Sequence, residues 1–472
     1  MRRIVILGCG PAGLAAGYEL VQRGEKVVCL EKDNMVGGIS RTVCHKGFRF
    51  DIGGHRFFTK IPRVDKLWHE ILAEEFLKRA RLSRIYYNNK FFNYPLKPTN
   101  ALAGLGFVNS IEILASFLAS KIKPYPQENT FEQWVSNRFG KKLYRIFFKT
   151  YTEKVWGIPC DQIAAEWAAQ RIKGLSLASA IKTAMFGDKQ KKIKTLIKKF
   201  DYPRLGPGQM YEAMAERIKQ MGGVVLLKHE AKKLRAANGK IIAVEAADAQ
   251  GNMSIIEGTD FLSSMPVNEL ALAISPMGPE SVATAAGKFT YRSLLTVNLM
   301  MNRKETFPDT WIYIHSPEVK VGRIQCFKNW SPFMVPDENS SSLGLEYFCT
   351  EGDELWNSTD SDLIELAKKE IKKLGIADPA SVFDAFVLRM PKTYPVYFMD
   401  YKQYLEVIKK YLAGFGNLQC IGRNGMFKYN NMDHSISSAL LAVENIFGAN
   451  NNLWAVNTEE EYHEQANAES TT

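Results

Sequence analysis

The run Arg3-Ile4-Val5-Ile6-Leu7-Gly8-Cys9-Gly10-Pro11-Ala12-Gly13 decides the fold. Its first five residues are an apolar strand, and its three glycines turn that strand into a helix from Leu14 to Arg23. Gly24 ends the helix, and Glu25–Leu30 forms a second apolar strand that closes on Glu31. This is G-x-G-x-x-G between strand and helix, with an acid about 20 residues further on, which is the layout of a dinucleotide site. Gly8 allows the tight turn, Gly10 admits a pyrophosphate against the backbone, and Gly13 lets helix and strand pack closely. Pro11 and Ala12 open the helix, whose N–H groups and dipole favour phosphate. Glu31 is placed to accept hydrogen bonds from ribose hydroxyls.

Working outward, Met35-Val36-Gly37-Gly38-Ile39-Ser40-Arg41-Thr42 is a glycine-rich loop carrying an arginine. Phe48 to Phe58 alternates like a strand and holds a further glycine pair, Gly53-Gly54, followed by His55. Two more glycine pairs so soon after the fingerprint imply backbone wrapped closely around a large cofactor, which points to FAD bound in an extended form. Cys9 fills a small position in the turn.

With 472 residues, two or three lobes are expected. The 46% hydrophobic and 24% charged content is that of an ordinary globular protein. Seven cysteines stand singly, with no C-x-x-C pair, which points to a reducing cytosol and to neither a metal site nor a disulfide framework. Met1 leads almost directly into the first strand, so no leader is expected and the location reads as cytoplasmic. A net charge of +11 suits a phosphate-rich ligand or an anionic membrane, and no nucleic-acid module is present. The lysines of 182–199 have two readings, a solvated helix face or a peripheral membrane contact.

Residues 60–125 read as mainly helical, with Ala101–Ser120 a buried or interfacial helix interrupted too often to span a bilayer. Phe131–Arg171 mixes aromatics with charges, as a ligand-facing wall does. Asn238-Gly239 makes a hairpin, Phe261–Pro266 a strand returning to the cofactor domain, and Leu418–Arg423 a strand leading to a helix from Asp433 to Phe447. The expected class is α/β. A Rossmann-like FAD-binding domain is assembled from the discontinuous segments 1–95, 201–285 and 401–457. It carries a helical lobe at 96–200, a mixed strand-rich substrate lobe at 286–400 and a disordered polar tail at 458–472.

On these motifs the chain resembles the FAD-dependent superfamily of amine oxidases, protoporphyrinogen oxidases, phytoene desaturases and UDP-galactopyranose mutases. Two stretches are mutase-like. Tyr151-Thr152-Glu153-Lys154-Val155-Trp156-Gly157 is similar to Y-T-E-K-Q-W-G, and the run from Gly422 to Asp433 is similar to G-R-x-G-x-Y-R-Y-x-D-M-D. Tyr394-Pro395-Val396 also fits. The resemblance implies a redox-neutral isomerase of nucleotide sugars, of the kind used in polysaccharide biosynthesis, in which reduced flavin displaces UDP from the sugar. The alternative it leaves is an oxidoreductase of the protoporphyrinogen oxidase, amine oxidase or desaturase type acting on an amphipathic substrate.

Carried over by the resemblance, Arg171, Arg323 and Arg423 are diphosphate-binding arginines, and Tyr347 and Tyr429 are diphosphate-contacting tyrosines. Tyr151 and Trp156 are substrate-pocket aromatics, Asn431 joins the substrate set, and His55 sits near the flavin. The cofactor set comprises Gly8, Gly10, Pro11, Ala12, Gly13, Glu31, Lys32, Gly37, Gly38, Ser40, Arg41, Gly53, Gly54, His55, Ala231, Gly422, Arg423, Asn431, Met432 and Asp433. FAD is expected to be noncovalent, although His55 and Cys44 have side chains able to attach it, and NAD(P)H is the expected transient reductant. Second readings stand beside four of these. Arg41 serves FAD phosphate rather than substrate, Arg171 caps a helix or bridges to Glu166, His55 bonds the backbone of its own loop, and Trp156 is core packing. Bacterial mutases usually carry G-P-H where this chain has Gly53-Gly54-His55, and Asn431 replaces their Asp, so the sugar stays open.

Overall fold

The computed structural model describes residues 2–94, 98–165, 167–168 and 199–458. Arg171, Glu166, the lysines from 182 to 198 and the tail from 459 lie outside them.

The first strand, β1 (Arg3–Leu7), sits at the centre of a parallel five-stranded sheet. β2 (Lys26–Glu31) and Val224–Leu227 lie on one side of it, and Asp260–Ser263 and Leu418–Cys420 on the other. Leu7 is level with Leu30 and with Ser263, so three distant parts of the chain end their strands at one edge. Ile4 to Leu7 are all buried, as a strand covered on both faces requires, which explains the continuous apolar run in place of alternation. The helix α1 (Pro11–Gln22) packs against Gly208–Gln220 and against the C-terminal helix Met432–Ile446. The cofactor domain is therefore closed by its last segment.

A second, seven-stranded sheet carries the other half of the site. Its order is Val382–Pro395, Tyr291–Met301, Ser341–Cys349, Arg323–Cys326, Trp311–Ile314, Ser83–Tyr87 and Lys90–Asn93. The helix Asp360–Lys373 and its Leu363, Ala367 and Ile371 cover one face. Around the site pack the helices Phe107–Ile122, Phe131–Phe139 and Thr150–Trp156, the last preceded by a π-helical turn at Arg145–Lys149.

Residues 60–125 are mainly helical, as expected, but they also contain the strands Phe76–Ala80, Ser83–Tyr87 and Lys90–Asn93, which that reading left out. The signal was Asn88-Asn89, whose φ angles of 48° and 57° make the left-handed pair that a two-residue hairpin needs. The apolar stretch 101–120 is two helices, broken at Gly106 with φ 84°. Among the described residues no helix is long and apolar enough to cross a membrane. Asn238 and Gly239, with φ 50° and 70°, turn the expected hairpin between Glu230–Ala237 and Lys240–Ala247.

A buried carboxylate ties the glycine loops to the rest. Asp51 accepts hydrogen bonds from Thr42 Oγ1 (2.8 Å) and from the Tyr202 hydroxyl, and the N–H of Gly208 donates to Thr42 Oγ1 (3.0 Å). Burial pushes the Asp51 pKa up to about 7, against the two hydroxyl donors that favour the anion. The folded chain then holds a proton that the unfolded chain has released, so this group's contribution to stability is present below about pH 4 and is lost as pH rises to about 7. Asp51→Asn is expected to abolish that component. In thermal unfolding, the variant should gain on wild type between about pH 4 and pH 7 by on the order of a few kcal/mol. A difference that does not change with pH would refute the assignment.

Candidate cofactor and substrate site

The turn after β1 leaves room for nothing but glycine at two positions. Gly8 has φ 98°, and a Cβ there would lie 2.4 Å from Ser264 Oγ. A Cβ at Gly13 would lie 1.9 Å from the carbonyl oxygen of Gly8. Gly10 differs, because the nearest atom to a Cβ there is the Cα of Gly38, 4.0 Å away. Gly10 and Gly38 therefore face each other across a slot at the N-terminus of α1, and that slot suits a pyrophosphate better than a side chain. Gly422, with φ 80°, reaches the same place, since its Cβ would stand 3.1 Å from that of Ala12.

Glu31, at the end of β2, is buried. It accepts from the N–H of Cys9 (2.9 Å) and of Asp33 (3.1 Å), and burial raises its pKa against those two donors. Lys32 beside it is exposed, and Ala231 is the second residue of the strand Glu230–Ala237, reached through His229, whose N–H donates to the Glu31 carbonyl (2.8 Å). Gly37 is held by its N–H on the Cys9 carbonyl (2.8 Å). Arg41 donates to the Gly38 carbonyl (2.6 Å) and pairs with Asp33 (2.5 Å), so it shapes the glycine loop. Ser40 is buried beside it. Asn431 is the N-cap of the C-terminal helix and makes no side-chain cap bond, Met432 is buried, and Asp433 accepts from Thr59 Oγ1 (3.0 Å). Two helix N-termini, three glycine loops and a buried acid thus converge as a dinucleotide needs.

Beyond Gly53 the site becomes aromatic and cationic. His55 Nδ1 lies 3.2 Å from the Gly53 carbonyl. Burial, then the charges of Arg423 and Arg323, push its pKa down to about 3, so the imidazole is neutral. The rings of Tyr394 and Tyr429 stack at 5.7 Å and 17°. The Arg423 guanidinium stands 4.7 Å from the Tyr429 centroid and 5.7 Å from that of Tyr394. It donates to the carbonyls of Asn430 (2.8 Å) and Thr393 (3.2 Å), and among the described residues no carboxylate pairs with it. Trp156 packs edge-on against Tyr394 and Trp167, and the buried indole N–H groups of both tryptophans lack partners among the described residues.

Arg323 is in the site but is not a free cation. It is the cross-strand neighbour of Glu346, which accepts its Nε–H (2.9 Å) and a second guanidinium N–H, and its Nη2 donates to the Tyr394 hydroxyl (3.0 Å). Gln325 holds the other Glu346 oxygen (2.8 Å). Tyr347 is corrected outright. It points to the opposite face of Ser341–Cys349, fully buried, and donates to Glu370 (3.0 Å). Alternation along that strand puts Glu346 and Tyr347 on opposite faces, and this signal would have found Glu346. Arg171 lies outside the described residues.

Tyr151 lies flat on His315 (4.7 Å, 6°) and edge-on to Tyr313, and burial raises its pKa. Its helix is pinned from beneath by Lys154, whose Nζ donates to the Ser316 carbonyl (2.6 Å) and lies near those of Val321 (3.3 Å) and Ile314 (3.4 Å). Burial lowers the pKa of that amine to about 8. Sequence reasoning missed Lys154, His315, Tyr313 and Glu346, which come together only through sheet pairing.

Set against known proteins, residues 11–446 match the family model described as flavin containing amine oxidoreductase. A solved structure of a reduced UDP-galactopyranose mutase superimposes with a TM-score of 0.85 at 22% identity, covering 98% of this chain and 100% of that one. At that identity the likeness is one of fold. Protoporphyrinogen oxidase 2 of Arabidopsis thaliana is 24% identical over 198 residues, which are 39% of each chain. A 15-cis-phytoene desaturase of an Oncidium hybrid cultivar is 23% identical over 397 residues, 79% of this chain and 64% of the desaturase. This chain thus covers less than two thirds of the length of either relative.

The slot between Gly10 and Gly38 supplies a direct test. Gly10→Val has space in the protein but fills the slot, so the variant is expected to keep wild-type far-ultraviolet circular dichroism and to purify without the flavin absorbance band. Wild-type flavin content in the variant would show that the pyrophosphate binds elsewhere.

Proposed function

The chain belongs to the flavin-containing amine oxidoreductase family, and on that premise we propose that it is an FAD-dependent isomerase that interconverts the pyranose and furanose forms of a nucleotide sugar. One observation carries the reading. Arg423 presents a guanidinium held by main-chain carbonyls, without a carboxylate partner among the described residues, against the stacked Tyr394 and Tyr429. A diphosphate is the group that such a cation and two phenol hydroxyls bind best. A substrate without an anionic group would leave this cation unpaired.

The roles follow from placement. Arg423 and Tyr429 hold the diphosphate, with Arg171 assigned beside them by resemblance. Trp156 and Trp167, packed edge-on, supply the aromatic wall against the base. Asn431 faces the sugar where relatives carry an acid. His55 stays neutral, and so adds no positive charge that would compete with Arg423 for the departing group. The glycine loops and Glu31 would hold FAD, which in its reduced form would supply the nucleophile for the exchange with diphosphate at the anomeric carbon. FAD is held without a covalent bond and is reduced by NAD(P)H in a transient encounter. Acid precipitation is expected to leave the flavin in the supernatant, and flavin in the pellet would refute the noncovalent reading.

A second reading, an oxidoreductase acting on an amphipathic substrate, has the similarity to the Arabidopsis oxidase in its favour. One anaerobic experiment separates the two. Oxidised and dithionite-reduced protein is incubated with UDP-galactopyranose or UDP-galactofuranose, and the products are resolved by chromatography. Interconversion is expected only in the reduced sample, without net use of reductant, and Arg423→Ala is expected to weaken UDP binding at least about tenfold. Absence of UDP binding, with peroxide formed by the oxidised enzyme in air, would establish the second reading.

A further inference from the structure

The helix Phe107–Ile122 turns a nearly all-apolar face to solvent. Its inner side is anchored. Ile113, Phe117 and Ser120 are buried, and the chain at Gly140 runs so close that a Cβ there would lie 2.8 Å from the Phe117 backbone. Its outer side carries Phe107, Val108, Ile111, Leu114, Leu118 and Ile122, at the spacing of one helical stripe. Phe107 is 80% exposed, Ile122 86% and Val108 68%. A soluble protein rarely leaves so many large side chains contiguous in water.

Charge indicates what covers the stripe. Lys121 and Lys123 are exposed at the C-terminal end, and Lys141 is exposed on the adjoining helix. Lys90, at the other end, donates to the Gly104 carbonyl (2.9 Å) just before the helix begins. Glu112, the acid on the outer side, is paired with Lys142. An aliphatic stripe of about 24 Å flanked by lysines is too short to span a bilayer and has the form of a helix lying in an interface. Protein interfaces, by contrast, draw on Tyr, Trp and Arg, and the stripe has none of these. We propose that this helix seats the protein on an anionic lipid surface, with the stripe among the acyl chains and the lysines at the headgroups.

The experiment is flotation of the flavin-loaded full-length chain with vesicles of phosphatidylcholine, with or without phosphatidylglycerol. The expected result is binding that is stronger to the anionic vesicles and that weakens with salt. Ile111→Ser/Leu118→Ser should lower that binding about tenfold or more while flavin content and Tm stay at wild-type values, since both side chains are exposed. Wild-type protein that stays out of both vesicle fractions would overturn the proposal. So would double-variant binding equal to wild type, or equal binding to neutral and anionic vesicles. Light scattering that finds a dimer which the double substitution dissociates, without vesicle binding, would assign the stripe to a second copy instead.

Discussion

Everything in this molecule depends on how closely the start of α1 approaches the end of β1. With the backbone of residue 13 packed onto the Gly8 carbonyl, any side chain at residue 13 would clash. That contact sets the direction of α1 and so aims its first N–H groups into the slot between Gly10 and Gly38. It also sets the surface on which the C-terminal helix lands, bringing Gly422 against Ala12 and a second helix N-terminus to the same edge. One steric constraint near the N-terminus therefore positions residues more than four hundred places along the chain.

The second sheet solves a different problem, the placement of charge in a largely buried site. Arg323 and Glu346 face each other across strands, with Gln325 and Tyr394 taking up remaining hydrogen-bonding capacity. Removing one member of such a pair leaves an uncompensated buried charge, at a cost of about 3–5 kcal/mol, so the pair persists as a unit. Its net charge is zero, and among the described residues the positive character of the site rests on Arg423, which touches carbonyls and rings. Two arginines that the sequence presents as equivalent thus differ through their neighbours alone.

That contrast also explains what was legible beforehand. The cofactor cradle could be read because its requirements are local: three glycines, a helix start and an acid at a set spacing all lie within one βαβ unit. The hairpin at Asn238-Gly239 was legible for the same reason. The hairpin at Asn88-Asn89 carried an equally local signal and was passed over beneath a general impression of helix. Tyr347 was misplaced because resemblance transfers residue types, whereas the face of a strand is decided by register, and a shift of one residue exchanges pocket for core. The pairing of Arg323 with Glu346 spans two strands, and no spacing along the chain announces it.

The motif Tyr151–Gly157 shows how function and scaffold share a single helical turn. Tyr151 stacks on His315 and Lys154, on the same side, reaches the carbonyls at 314, 316 and 321, while Trp156 turns toward Tyr394 and Tyr429. Glu153 accepts from the Cys160 N–H, Gly157 takes φ 67° to end the helix, and Arg292 closes over that glycine through the Val155 carbonyl. A Cβ at Gly157 would meet the Arg292 guanidinium at 2.5 Å, so the turn and the arginine require each other. Of this motif, then, the two aromatics are the residues proposed to meet the substrate. The rest fixes their angle by bonding to a sheet whose strands lie far away in sequence. Similarity in such a stretch is evidence first of a shared way of mounting aromatics on a sheet, and the reading of the substrate rests instead on Arg423 and its tyrosines.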